Sequence, residues 1–180
     1  MTRYLTIEQD ITKMTVDCIV NAANERMLGG GGVDGAIHRA AGPKLLEACR
    51  AIPEIYPGIR LETGAVRITP AFNLPSKFVI HTAGPIWEGG KNHEEELLDA
   101  CYSNSLILAA LHGKSVAIPA ISTGIFRFPI SRACEIAVFA VERFLQEHDS
   151  PLEDIYLVTY MSDEVAESFA ELGVQHERAR

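Results

Sequence analysis

Several features that would each mark a different class of protein are scarce in this sequence. Aromatic residues make up 7% of its 180 positions, only one is Trp, and none interleave with clustered Lys or Arg, so the footprint of a nucleic-acid-binding surface is missing. Positive charge is itself in deficit: 16 Lys and Arg stand against 24 Asp and Glu, and the net charge of −8 repels polyanions. No apolar run approaches the roughly 20 residues that a membrane span requires. The opening MTRYLTIEQD has no apolar core of signal-peptide length, so the sequence reads as a cytoplasmic protein without a membrane partner. Cys18, Cys49, Cys101 and Cys134 are far apart with no CxxC pair, which gives no support to a metal or redox site and reads as reduced core thiols. Repeats, low-complexity tracts and Pro/Gly/Ser linkers are also missing, so a single domain over residues 1–180 is expected, its polar residues 174–180 free to fray.

What remains is a globular composition, 47% hydrophobic and 22% charged. Short β-branched or apolar runs at residues 3–7, 18–21, 65–69, 78–82, 115–118 and 155–160 have strand length and alternate with helical patterns. Ile130, Cys134, Ala137, Val138, Val141 and Leu145 trace one helical face behind Pro129. A second helix is expected after Asn92 as N-cap, with Glu94, Glu95 and Glu96 at the positive end of its dipole and Leu97, Cys101, Leu108 and Leu111 as its apolar face. Gly42-Pro43 ends one short helix and starts another. This pattern predicts an α/β fold, a three-layer α/β/α sandwich on a mixed, largely parallel six-stranded sheet, with ligands at the loops beyond the strand C-termini.

Two of those loops have chemistry in them. After the second strand, Asn24 is followed by four glycines, 29–32, and then by Val33 and Asp34 in the first turn of a helix. Residues without Cβ let backbone N–H groups approach a ligand closely, and the helix N-terminus favours negative charge, so a diphosphate fits, as does a merely flexible connector. After the fifth strand, Ser122, Thr123, Gly124, Ile125 and Phe126 supply hydroxyl and backbone donors, or simply a turn. Asp10 with Ile11 follows the first strand, where the carboxylate is either a helix cap or an acceptor for an exocyclic amine. Asn24 also reads as a turn former and Asp34 as a dipole-stabilising residue; His38, on the same helical face as Asp34, and His81 both read as structural.

Taken together, Val20-Asn21-Ala22-Ala23-Asn24, the glycine run with Val33-Asp34-Gly35-Ala36-Ile37-His38, His81-Thr82-Ala83-Gly84-Pro85 and Pro119-Ala120-Ile121-Ser122-Thr123-Gly124-Ile125 resemble the MacroD-type macrodomains, most of all the bacterial O-acetyl-ADP-ribose deacetylase group. The resemblance covers nearly the whole chain. It implies an ADP-ribose cleft in which Asp10 binds the adenine amine with help from Ile11, and Gly32, Val33 and the 122–126 loop wrap the diphosphate. Asn24 and Asp34 would flank the distal ribose as the catalytic pair. It further implies hydrolysis of an ester on that ribose, either an acetyl group or a link to a protein carboxylate, with no metal and no cofactor; ADP-ribose, its esters and mono-ADP-ribosylated proteins are the implied partners. A non-catalytic ADP-ribose reader and an ADP-ribose 1''-phosphatase would use the same loops. Three positions depart from the family pattern: Gln9 and Arg127 stand where Gly is usual, and Phe126 offers no hydroxyl. Arg127 is expected either to hold a cation near the diphosphate or to be a solvated loop residue.

Overall fold

The computed structural model describes residues 1–178 and places seven strands in one sheet. They are β1 (Arg3–Glu8), β2 (Cys18–Ala23), β3 (Val66–Pro70), β4 (Phe78–Ala83), β5 (Ser115–Ile118), β6 (Asp154–Val158) and β7 (His176–Arg178), in the order β3-β4-β2-β5-β6-β1-β7. Every pairing is parallel except that of β3 with β4. The sheet is therefore mixed and largely parallel as expected, but with seven strands in place of six. The extra strand comes from the segment that its polarity had left free to fray. Val174 is buried, Thr6 donates its amide to the Gln175 carbonyl at 2.8 Å, and His176–Arg178 then pairs along β1. Its polar residues reflect an edge strand facing water, where pairing needs only backbone groups.

Both faces of the sheet are covered, as parallel strands require. The helices α1 (Gly32–Ala41) and α2 (Pro43–Ala51) and a 3-10 turn (Ile11–Lys13) pack through Ile37, Leu45 and Ile11 on one face, over Ile19, Val79 and Ala117. The helices α3 (Glu94–His112), α4 (Ile130–Glu147) and α5 (Asp163–Glu171) cover the other, over Val20, Ile80, Val116 and Ile118. Among the described residues, no helix is long and apolar enough to cross a membrane. All four cysteines are buried and free. Gly42, at φ 84°, closes α1 by donating to the His38 carbonyl, and Pro43 opens α2.

The start and the buried face of α3 differ from expectation. Its preceding residue is His93 at φ 60°, not Asn92, and no side chain of the usual capping kind is used. Instead Glu94 folds its carboxylate back onto the amides of Glu88, Gly90 and Asn92 at 2.9, 3.3 and 2.8 Å. Burial pushes its pKa up, but these amides outweigh that and hold it below the usual carboxylate range. The core stripe is Leu98, Cys101, Tyr102, Ser105, Leu106 and Ala109, and Leu111 is exposed. Apolar residues lie on more than one side of this helix, so periodicity alone offers two faces, and packing against α4 and the sheet selects the one containing Tyr102.

Candidate active site

Because β4, β2, β5, β6 and β1 run parallel, their C-terminal ends open on one edge of the sheet, and the loop after each arrives there. They enclose a cleft of about 870 Å³. Asp10, Ile11, Asn24, Gly32, Val33, Asp34, Ser122, Thr123, Gly124, Ile125 and Phe126 all line it. Gln9 and Arg127 do not.

Gly30, Gly31 and Gly32 of the glycine loop line the cleft and are open to solvent. A Cβ on Gly30 would stand 3.1 Å from Asp34 Oδ2 and 3.4 Å from Asn24 Nδ2, so backbone without a side chain fills the gap between these two residues. Asn24 is the turn former that its type suggests: its Oδ1 accepts from the Arg26 and Met27 amides at 3.1 and 3.2 Å, and Nδ2 donates to the Gly29 carbonyl at 3.1 Å. The second hydrogen on Nδ2 is left for the cleft. The first amides of α1 have no intrahelical partner and add a positive end to the same loop.

Asp34 is 4% exposed. Its Oδ1 accepts from Asn21 Nδ2 at 2.8 Å and lies 3.4 Å from His38 Nε2, while Oδ2 faces Gly30. Burial raises its pKa above the usual carboxylate range, against the opposing pull of the Asn21 amide and of His38. Behind it, His81 is fully enclosed, with Nδ1 3.2 Å from Asn21 Nδ2 and Nε2 3.0 Å from Thr69 Oγ1, and burial followed by the field of His38 pushes its pKa down to about 3. Asp10 does cap the 3-10 turn, its Oδ1 accepting from the Thr12 amide at 3.0 Å and the Thr12 hydroxyl at 2.7 Å, and it lines the cleft as well.

The loop after β5 is pinned from α3. The Tyr102 hydroxyl donates to the Pro119 carbonyl at 3.2 Å and accepts from the Ile121 amide at 3.1 Å. Ser122 follows at φ 64°, its Oγ buried without a protein partner and close enough to Gly84 that a Cβ there would collide. Among the described residues, the amides of Gly124, Ile125 and Phe126 bond to no protein acceptor, so the loop presents a second row of donors opposite the first. Arg127 keeps the glycine-like backbone of its position, φ 58°, and donates its amide to the Gly124 carbonyl, but its side chain is solvent-exposed. Of the two readings of Arg127, the solvated loop residue fits its place, and the cation in the cleft lining is Arg39, one turn beyond Gly35 on α1. Sequence reading missed Arg39 because its place depends on how α1 docks. It also missed Tyr160 and Met161, which line the far wall because β6 ends at Val158 and not at residue 160.

Two rows of free amides over a buried carboxylate, at the C-terminal edge of a parallel-centred sheet, define an α/β protein built to take a phosphate-bearing ligand. The chain belongs to the macro domain family, whose model matches residues 20–137. It is 54% identical to a macro domain-containing protein of Xanthomonas campestris, over 84% of each chain. It is 50% identical to the O-acetyl-ADP-ribose deacetylase of Salmonella newport, over 96% of this chain and 95% of that one. Among solved structures, a mutant of the Oceanobacillus iheyensis macrodomain with ADPR superposes with a TM-score of 0.85 at 45% identity, covering 92% of this chain and 89% of the other.

Proposed function

We propose that this protein binds ADP-ribose and hydrolyses esters on its distal ribose: the acetyl ester of O-acetyl-ADP-ribose, and the bond that joins mono-ADP-ribose to a protein carboxylate. The observation that carries this reading is Asp34, a buried carboxylate of raised pKa that lines the same cleft as both sets of free amides. The relative named O-acetyl-ADP-ribose deacetylase and the macrodomain solved with ADPR support it.

In this reading adenine lies against Ile11 with its amine on Asp10, the diphosphate bridges Gly32-Val33 and the 122–126 loop, and the distal ribose rests between Asn24 and Asp34. The free Asn24 amide hydrogen holds a ribose hydroxyl, and Asp34 Oδ2 orients a water and accepts its proton. Water oxygen adds to the acyl carbon as one of its protons passes to Asp34. The ester C–O bond breaks, and the ribose oxygen leaves taking that proton from Asp34, giving ADP-ribose and acetic acid, which ionises to acetate. A carboxylate of raised proton affinity is a better base than an ordinary one, and positioned base catalysis contributes about 10²–10⁴-fold. The rim at Gly31, Gly32, Gly124 and Ile125 is solvent-exposed, which leaves room for a ribose whose ester continues into a protein chain.

Incubation with O-acetyl-ADP-ribose, a glutamate-ADP-ribosylated protein and ADP-ribose 1''-phosphate, with products separated by mass spectrometry, tests this directly. Release of ADP-ribose from the two esters is expected. Tight binding with all three ligands returned intact would make the protein a reader, and phosphate release alone would make it a phosphatase.

A further inference from the structure

Behind Asp34, outside the cleft lining, polar side chains from three adjacent strands form a chain: Asp34 Oδ1 to Asn21 on β2, Asn21 to His81 on β4, and His81 to Thr69 on β3. All are buried, and Asn21 and His81 sit directly opposite each other in the sheet register. An apolar set would fill this space at lower cost, since each buried polar group must find a partner. Asn21 meets that requirement on one side only. Its Nδ2 reaches both Asp34 Oδ1 at 2.8 Å and His81 Nδ1 at 3.2 Å, whereas its Oδ1 is fully enclosed and bonds to nothing in the protein.

We propose that His81 is a positioning residue: as a neutral ring carrying its proton on Nε2, it fixes the Asn21 amide in the one orientation that donates to Asp34, and thereby aims the carboxylate. This rests on the role given to Asp34 above.

Nothing holds the Asn21 oxygen, so the amide is oriented entirely by the two acceptors that face its nitrogen. A reversed amide would press Oδ1 against a carboxylate oxygen and against the Nδ1 lone pair, losing two hydrogen bonds and gaining two repulsive contacts in a site closed to water. Nδ1 serves as that acceptor only if it carries no proton, which places the single ring hydrogen on Nε2, where the Thr69 hydroxyl oxygen receives it at 3.0 Å. Enclosure keeps the ring neutral, its pKa pushed down to about 3. Without His81 the amide keeps one acceptor, and Asp34 loses a donor of fixed direction.

The test compares wild type, His81→Leu and His81→Asn. The readouts are kcat and KM on O-acetyl-ADP-ribose, ADP-ribose affinity by calorimetry, thermal melting, and two-bond ¹H–¹⁵N correlations of the imidazole. Wild type is expected to show the Nε2–H tautomer. His81→Leu should lower kcat by about tenfold or more while ADP-ribose affinity stays within about twofold, the pattern of a lost positioning contact. His81→Asn, whose side-chain oxygen offers an acceptor near the place of Nδ1, should recover most of kcat even where its melting temperature stays as low as that of the Leu variant. An Nδ1–H tautomer in wild type overturns the proposal, as does equal loss of kcat in the two variants or an unchanged kcat in His81→Leu. If His81→Leu does not fold, the tautomer and the kcat of His81→Asn decide. Wild type that binds ADP-ribose but leaves the ester uncut overturns the hydrolase reading instead, and the tautomer alone then judges His81.

Discussion

Asp34 is under two opposed demands. Burial raises its pKa, so the folded protein binds this proton more tightly than the unfolded chain, and stability falls as pH rises from the ordinary carboxylate range through the raised value. In its ionised form Asp34 therefore costs stability, and in the proposed function that form supplies the base. Asp34→Asn keeps the acceptor for Asn21 and should raise the melting temperature at pH 7, with the gain shrinking toward pH 4, while ester turnover falls at least ~100-fold. Melting curves at the two pH values and kcat at pH 7 check both halves. Asp10 caps the 3-10 turn and, in the proposed function, reads the adenine amine, so Asp10→Ala should weaken ADP-ribose by about 1–3 kcal/mol. Calorimetry with inosine diphosphate ribose, which has a carbonyl in place of the amine, should show wild type already weakened and the variant indifferent to the change. Arg127 bears a backbone strain that glycine would not, φ 58°. Arg127→Gly should add about 1 kcal/mol of stability in urea denaturation and leave ADP-ribose affinity unchanged at low and high salt, because the exposed residue does not line the cleft.

At the scale of elements, the loops line the cleft and the helices behind them hold the loops still. The clearest link is Tyr102, whose ring sits in the core and whose hydroxyl holds both the Pro119 carbonyl and the Ile121 amide. Tyr102→Phe keeps the packing and leaves those two buried groups unpaired, at a cost of about 1–3 kcal/mol. It should also weaken ADP-ribose, since the 122–126 amides lose their anchor. Urea unfolding and calorimetry on the one variant separate the two effects. The glycine run and the Ser122 loop were visible in the sequence because each is a contiguous segment between a strand and a helix. A flexible connector and a plain turn fitted them too, and the fold, which brings both to one cleft, decided between the readings. Tyr102 was not visible in this way. On a helix with apolar residues on more than one side, nothing local distinguishes a core tyrosine from a tyrosine that anchors a loop 17 residues away.

The molecule as a whole carries a net charge of −8, yet its ligand is an anion. Raising ionic strength screens that field, so association of ADP-ribose should quicken from low to physiological salt, and the rise should steepen in Arg39→Gln, which removes the cation of the cleft lining. Stopped-flow association rates across a salt series measure this. Composition, the order of the first six strands and of α1 to α4, and the two donor loops were legible in the sequence alone. Each depends on local pattern, and strands joined by helical crossovers bring their following loops to a common edge. Asp10, Asn24 and Asp34 were joined in one cleft by the resemblance to macrodomains, and α5 was not foreseen. Only the tertiary structure decided the seventh strand, the choice of Arg39 over Arg127, and the chain from Thr69 through His81 and Asn21 to Asp34. These rest on an edge left open by β1, on the angle at which α1 docks, and on strand register that sets Asn21 against His81 across 60 residues of sequence. Such placements come from packing many distant segments at once, and no local spacing encodes them.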